Sequence, residues 1–145
     1  MPADPPAADP PATDPLVDAL VQTAFATMAV LTKAAADADL SLTQLRALAI
    51  LRDRRLRMTA LAGHLGLEKS TMSGLVDRAE KRGLVQRAPS ADDGRAVEVL
   101  LAPDGIALAE RVGAEVSAAL APLTAALGPA DQRRLEALLT RMLGT

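Results

Sequence analysis

The side chains of this chain that could do chemistry are hydroxyls and cations, gathered in one segment that starts at Lys69. Ser70, Thr71 and Ser73 follow within about one helical turn, and Arg78 lies further along. These groups donate hydrogen bonds or carry positive charge, but none is a nucleophile with a base beside it. The chemistry that they suit is contact with the base edges and phosphates of a nucleic acid.

Catalysis and metal binding have little support. His64 is the only histidine and there is no cysteine, so a transition-metal site would need carboxylates around a single imidazole. We interpret His64 as a solvated or capping residue on a helix surface. Asp92 and Asp93 are adjacent on a predicted turn, which favours a turn pair over acid–base catalysis. The sequence therefore predicts no enzyme, no cofactor and no disulfide.

Charge is segregated along the chain, although the formal net charge is only −2. Residues 41–95 carry eleven Lys and Arg against six Asp and Glu. Residues 1–40 carry one Lys against six Asp, and residues 96–145 carry four Arg against six Asp and Glu. A basic centre between acidic ends is typical of a DNA-binding surface on an anionic body, although a solvated basic face has the same composition.

Size and composition favour one domain with an added oligomerisation element. Half of the 145 residues are hydrophobic and Phe25 is the only aromatic residue, so a small monomer would gain burial by associating. The start lacks the basic and apolar regions of a signal peptide, and no apolar run approaches the roughly 20 residues that span a bilayer. We expect a cytoplasmic protein with no membrane partner.

The element that presents the hydroxyls is a predicted helix over 69–82. Its apolar residues recur at i, i+3, i+4 and i+7, the spacing of one buried helical face: Met72, Leu75, Val76 and Ala79. A glycine on the other face would let the backbone approach DNA closely. The residues of this helix that we predict to contact DNA are Lys69, Ser70, Thr71, Ser73, Gly74 and Arg78.

A basic hairpin follows this helix, with predicted strands over 84–87 and 96–101 and turn-forming residues between them. Asp93 and Arg95 stand two residues apart, so we predict that Asp93 holds the guanidinium of Arg95 toward the electronegative minor groove. Arg87 on the opposite strand is predicted to reach a phosphate. The alternative is a surface turn with an ion pair worth about 0–1 kcal/mol.

Further elements frame the helix and the hairpin. An amphipathic helix is predicted from Leu16 to about Ala36, and a capping box of Ser41 and Gln44 opens a second helix. A short helix over 59–65 ends at a glycine, Gly66. Two helices close the chain, separated at Gly128-Pro129.

Three details of these elements carry expectations of their own. Pro122 should kink the long C-terminal helix or split it near Ala118. The charged link over 52–57 is as consistent with a solvated linker as with contact to the DNA backbone. Phe25, Met28 and Met58 have the character of pocket-lining residues, but helical spacing makes Phe25 and Met28 core or dimer residues first, so the effector-binding residues stay unknown.

The segment from Leu40 to Gly105 resembles the multiple antibiotic resistance regulator (MarR) family of bacterial transcription factors. No single motif is specific, but their order and spacing are. The resemblance rests on Leu42-Thr43-Gln44, Leu61-Ala62, Ser70-Thr71, Leu75-Val76-Asp77-Arg78, Glu80-Lys81-Arg82-Gly83-Leu84-Val85 and Asp93-Gly94-Arg95-Ala96-Val97.

The resemblance implies a mainly α fold with a small β-hairpin wing, a winged helix-turn-helix, dimeric through interlocked N- and C-terminal helices. It implies an N-terminal dimerisation helix over 16–39, a DNA-binding lobe over 40–102 and C-terminal dimerisation helices over 103–145. The composition of residues 1–15, rich in Pro, Ala and Asp, predicts a disordered tail before them. The resemblance matches Arg95 with a wing arginine that enters the minor groove, and Asp93 with its partner. It also matches Ser70, Thr71 and Ser73 with contact positions of the DNA-reading helix.

The chain departs from the family pattern at five positions. Glu68, Arg57 and Ala102 stand where Ser or Thr usually caps a helix, so three caps are expected to be weaker. Ala79 replaces a common Leu, and Gly74 replaces a frequent Arg. Because Gly74 has no side chain, the arginine–base contact that the family often makes at that position is not expected here.

These observations lead to one hypothesis and its alternatives. The chain is interpreted as a homodimeric repressor that binds a pseudo-palindromic double-stranded DNA operator, released by a small aromatic or anionic effector; the effector rests on the resemblance alone. The alternative is a constitutive architectural or protein-interaction winged-helix domain without an effector. A small hydrolase is the third, and the chain offers no nucleophile–base pair for it.

Overall fold

The computed structural model describes residues 12–145, which form six helices and three strands. Most of the predicted tail over 1–15 therefore lies outside the described residues. The helices are α1 Pro15–Asp37, α2 Leu42–Leu51, α3 Met58–Leu65, α4 Lys69–Lys81, α5 Pro103–Thr124 and α6 Pro129–Leu143. The strands are β1 Leu56–Arg57, β2 Val85–Pro89 and β3 Val97–Leu101. This is the predicted order of a winged helix-turn-helix between terminal helices.

Local sequence signals begin and end the helices as predicted. At the start of α2, the Ser41 N–H donates to the Gln44 side chain at 2.8 Å and the Gln44 N–H donates to the Ser41 hydroxyl at 3.1 Å. Gly66 ends α3 in the left-handed region, with φ 65° and ψ 31°. The N-cap residues Arg57, Glu68 and Ala102 make no side-chain cap hydrogen bond, so the three expected weak caps are confirmed.

The core lies where α3, α4 and the sheet meet. Four large side chains there are less than 2% exposed: Leu61 of α3, Met72 and Val76 of α4, and Val99 of β3. Alanines and leucines of α1 and α2 complete the cluster. The apolar face of helix α4 therefore packs against the core, and its opposite face is turned to solvent.

A third strand, β1, was not predicted. Leu56 pairs with Val99 and Arg57 with Glu98, so β3 lies in the centre of an antiparallel sheet with the order β1-β3-β2. We had interpreted this segment as a charged link. A two-residue strand has no periodicity, and its pairing depends on a partner about 40 residues away.

Gly105 places the first turn of α5 directly on the backbone of Leu84. The Ala102 N–H donates to the Leu84 carbonyl at 3.0 Å. A Cβ added at Gly105 would lie 1.9 Å from that same oxygen, closer than any real contact. Only a residue without a side chain fits this contact between α5 and the end of the DNA-binding lobe.

Of the two effects predicted for Pro122, a kink or a split of α5 near Ala118, the split does not occur. The helix continues through Pro122 to Thr124, with the proline in its last turn. A proline removes one helical hydrogen bond, the bond to the carbonyl four residues earlier. The helix tolerates this loss because Pro122 lies only two residues before its end at Thr124. The chain changes direction by 115° between α5 and α6, which begins at Pro129.

The terminal helices leave apolar side chains uncovered. In α1, Phe25 is 67% exposed, and α6 has no buried residue at all. By length and composition α1 could cross a membrane, contrary to the expectation that no apolar run reaches that length. Its C-terminal end packs into the core through Ala34 and Ala35. The rest of α1 and all of α6 need another surface to cover them.

Candidate nucleic-acid interface

Helix α4 has one buried face and one exposed face, as its sequence pattern predicts. The predicted apolar stripe is buried along its whole length. Lys69, Ser70 and Thr71 in the first turn are exposed, while Ser73 and Gly74 are half-buried at the border between the two faces. The hydroxyl side of α4 therefore faces outward rather than into the protein.

The start of α4 leaves backbone donors open. Glu68 precedes the helix in an extended conformation and its side chain makes no cap hydrogen bond. The first N–H groups of a helix have no partner within it, and they lie at the positive end of its dipole. The exposed first turn thus combines hydroxyls, the Lys69 ammonium and free N–H groups, a combination that suits a phosphate.

The guanidinium of Arg78 lies beside Gly74 on the surface of α4. A Cβ at Gly74 would meet the Nη1 atom of Arg78 at 3.5 Å, so the Arg78 side chain folds back over the turn that precedes it. We had predicted that the missing side chain lets DNA approach the backbone. A guanidinium therefore lies beside this position, and close approach of DNA to the Gly74 backbone stays a prediction.

Arg87 does not extend toward solvent as we had predicted for a phosphate contact. From β2 it forms ion pairs with two carboxylates of α4, Asp77 at 2.6 Å and Glu80. Both acids support its positive charge: the hydrogen bond to Asp77 is the main reason that the pKa of Arg87 is raised. Arg87 thus joins the hairpin to α4 and neutralises acids that would repel DNA. A phosphate contact by Arg87 stays a prediction that requires these pairs to open.

The wing turn is built differently from the prediction. The Asp93 carboxylate accepts a hydrogen bond from the backbone N–H of Arg95 at 3.1 Å, and the Ala96 N–H donates to the Asp93 carbonyl at 2.9 Å. Asp93 therefore stabilises the turn rather than holding the guanidinium, because these residues form a turn and not a strand with alternating sides. Arg95 is exposed at the tip and forms no ion pair with any residue of the described range 12–145.

The base of the wing contains functional candidates that the sequence analysis did not identify. Glu98 of β3 accepts hydrogen bonds from Ser90 at 2.9 Å and from Arg55 at 2.5 Å. Arg55 precedes β1 and lies 43 positions from Glu98. No local pattern predicts that pairing, since it depends on the unpredicted strand β1.

A groove of about 410 Å³ lies between α1 and α2. Its lining is mostly apolar, with Met28 and Leu31 from α1. Arg46 of α2 also lines the groove and is exposed. Of the other candidates for a pocket, Met58 packs against the core and Phe25 is outside the groove lining. His64 is exposed in the last turn of α3, and no cluster of three metal-ligating side chains occurs within the described residues.

Comparison with known proteins identifies the architecture. A sequence model of the MarR family matches residues 38–96, from the end of α1 to the wing. A crystal structure of a probable transcriptional regulator from Pseudomonas aeruginosa is 30% identical, covers 89% of this chain and 97% of its own, and superposes with a TM-score of 0.67. The chain belongs to the MarR family.

Two further relatives extend the MarR-family likeness. The structure of NadR in complex with 4-hydroxyphenylacetate is 26% identical, with a TM-score of 0.73 over 98% of this chain and 97% of that one. The HTH-type transcriptional regulator YfiV of Bacillus subtilis, itself uncharacterised, is 38% identical over 64 residues. That alignment spans 43% of this chain and only 40% of YfiV. The full-length structural likeness includes the terminal helices, and confirms the predicted winged-helix fold of this MarR-family chain.

Proposed function

We propose that this MarR-family regulator is a sequence-specific DNA-binding repressor that acts in the cytoplasm as a homodimer on a pseudo-palindromic operator. The observation that carries the proposal is the outward face of α4, whose hydroxyls and cations stand opposite a fully buried stripe, with an exposed arginine on the wing that follows. A B-DNA major groove accepts one such helix, and a narrow minor groove attracts such an arginine.

The proposed dimer covers the apolar surface that one chain leaves open. Phe25, Leu20 and Met28 of α1 are 67%, 45% and 44% exposed, and Met142 and Leu143 of α6 are 57% and 69% exposed. Hydrophobic residues at this density are typical of an interface between copies of a small helical protein. A two-fold dimer would place two α4 helices in successive major grooves, about 34–36 Å apart.

We further propose that a small anionic effector binds the groove between α1 and α2. Apolar walls with one exposed arginine, Arg46, suit a ligand that has an aromatic or aliphatic body and a carboxylate. NadR, one of the relatives, was crystallised with a ligand of that kind, 4-hydroxyphenylacetate. The separation of the two α4 helices differs between the DNA-free and the DNA-bound dimer. An effector at this position would release DNA only if it binds the DNA-free dimer more tightly than the DNA-bound dimer.

The experiment that tests the repressor proposal measures binding to duplexes from the DNA that flanks the coding region of this protein. A regulator should prefer one palindromic site over a scrambled duplex by about 10³-fold or more. Equal affinity for both would favour the architectural alternative, and no binding to either would favour a protein-interaction domain.

A double variant connects this binding to α4. Replacing Ser70 and Ser73 with Glu should abolish operator binding and leave the dimer intact, because two carboxylates would face the DNA phosphates. Ser117→Glu adds one negative charge at an exposed position on α5, outside this surface, and is the matched control for each single Ser→Glu variant. Loss of the dimer in the double variant would mean that the serines are structural.

A further inference from the structure

The base of the wing is held by a network of four groups, which we name the wing-base network: the side chains of Arg55, Ser90 and Glu98, and the backbone carbonyl of Pro89. One oxygen of the Glu98 carboxylate accepts from the Ser90 hydroxyl at 2.9 Å, and the other accepts from Arg55 Nε at 2.5 Å. Arg55 also donates to the Pro89 carbonyl at 3.1 Å. The network therefore touches both strands of the hairpin and the segment that leads into β1.

Each member lies where the wing leaves the sheet. Glu98 is on the central strand, paired with Arg57 of β1 on one side and Ala88 of β2 on the other. Ser90 is the first residue after β2, and its N–H donates to the Ala96 carbonyl at 2.8 Å, which closes the hairpin. Beyond this pair the chain turns at residues 91–95, which are all exposed. A hairpin that projects from a sheet has little else to fix its direction.

Burial of the wing-base network removes water from its polar groups, and the hydrogen bonds within the network offset this loss of hydration. The Glu98 side chain is only 15% exposed, and Ser90 is 5% exposed, the one buried polar residue among residues 12–145. A half-buried carboxylate loses hydration, and hydrogen bonds from Ser90 and Arg55 replace it. Those bonds lower the pKa of Glu98, the one from Ser90 most, so the carboxylate stays ionised and the network stays complete at neutral pH.

We propose that Glu98 is a positioning residue for DNA binding: through Ser90 and Arg55 it fixes the direction of the wing and so aims Arg95 at the minor groove. The inference rests on the proposed function, because Arg95 matters only if the protein binds duplex DNA. Glu98 itself is not expected to touch DNA, since its carboxylate is committed to groups at the wing base and would repel phosphate.

The charge of Glu98 makes the proposal distinguishable from ordinary electrostatics. Removing a negative charge near bound DNA should by itself strengthen binding. If Glu98 aims the wing, Glu98→Gln should instead weaken operator binding, by about tenfold, the equivalent of one charge-assisted hydrogen bond. The loss cannot exceed that of Arg95→Ala, because Glu98 acts through that arginine.

The decisive experiment is a double-mutant cycle on the operator. Glu98→Gln should weaken binding in the wild-type background and leave it unchanged or slightly stronger in the Arg95→Ala background. A purely structural effect on the lobe would weaken binding equally in both backgrounds and would overturn the proposal. Arg55→Met removes the other side-chain donor to Glu98 and should likewise weaken binding more in the wild-type than in the Arg95→Ala background. Arg54→Met is its matched control, since Arg54 is an exposed neighbour that forms no ion pair within the described residues.

A second measurement tests the network without DNA. The chain has no cysteine, so spin labels can be attached at Ala91→Cys in the wing and Ala60→Cys in α3, both exposed. The distance distribution between the labels should be narrow in the wild type and broader in Glu98→Gln and in Ser90→Ala. An unchanged distribution in both variants would refute the proposal, even if one of them binds DNA poorly. If the wild-type protein binds no operator, the proposed function fails while this distance test still decides whether Glu98 positions the wing.

Discussion

The guanidinium of Arg82, at the C-terminal end of α4, donates a hydrogen bond to the backbone carbonyl of Asp39 at 2.7 Å. A second bond reaches the carbonyl of Ala38 at 3.3 Å. Asp39 lies just after α1 and has a positive φ of 56°, so the end of α1 turns sharply and presents these carbonyls to α4. Arg82 therefore links the proposed DNA-reading helix to the proposed dimerisation helix.

Removing this tie should loosen α4 relative to α1. We expect Arg82→Met to lower the free energy of unfolding by about 1 kcal/mol and to weaken operator binding while the protein remains dimeric. Denaturant unfolding and binding titrations measure the two effects. Lys81→Met, one residue earlier and also exposed, is the control. Equal behaviour of the two variants would show that the contact to Asp39 contributes nothing.

Arg95 should carry the minor-groove contact of the wing. Arg95→Ala is expected to cost about 1–3 kcal/mol of binding free energy per half-site and to reduce the slope of log affinity against log salt by about one for each half-site. Titrations at several salt concentrations measure both quantities. Arg111→Ala removes an exposed cation from α5 instead. Wild-type affinity and slope in the Arg95 variant would exclude the wing from the interface.

Phe25 should be part of the dimer interface, because its phenyl ring is 67% exposed and residues 12–145 leave most of it uncovered. Phe25→Asp is expected to shift the protein from dimer to monomer, since a carboxylate would be buried at the contact without a partner. Light scattering coupled to size exclusion gives the mass. Gln86→Asp places the same charge at an exposed position of β2 and should leave the dimer unchanged. A dimeric Phe25 variant would place the interface elsewhere.

The two helical glycines of α5 should respond to alanine in opposite directions. Gly105→Ala is expected to lower the free energy of unfolding by about 1–3 kcal/mol, because its Cβ would collide with the Leu84 carbonyl. Gly113 has no heavy atom within 4 Å of an added Cβ, so Gly113→Ala should raise stability by about 0.5–1 kcal/mol. Denaturant unfolding measures both. A neutral Gly105→Ala would mean that α5 does not contact Leu84 so closely.

The contribution of the Glu98 carboxylate to the free energy of unfolding should depend on pH. The pKa of Glu98 is lowered from its ordinary value of 4.5, chiefly by the Ser90 hydroxyl and then by Arg55. The folded state therefore favours the carboxylate, and its stabilisation is complete above the unfolded pKa and is lost as pH falls through the folded pKa. The difference in unfolding free energy between wild type and Glu98→Gln should be constant near neutrality and shrink below about pH 4.5. A difference that persists undiminished to lower pH would contradict this assignment.

Much of the fold could be predicted from the sequence because its signals are local. The capping box of Ser41 and Gln44, the left-handed Gly66 and the buried stripe of α4 each depend on residues within about one or two helical turns. The two long strands of the wing were predicted within one or two residues for the same reason. Once helix α4 and the wing are predicted, Ser70 and Arg95 are expected to be exposed, so the same local signals also predict the candidate interface.

Only the tertiary structure decided which charged side chains meet. Arg87 pairs with Asp77 and Glu80 of α4, and Arg55 pairs with Glu98 across 43 positions of the chain. A long flexible side chain can reach many partners, and packing of distant elements selects one of them. Periodicity determines which face of an element is buried, whereas the partner of an exposed charge depends on what the folded chain brings beside it. The sequence by itself therefore determined the helices, the wing and their outward faces, and the tertiary structure determined how the cations on those faces are held.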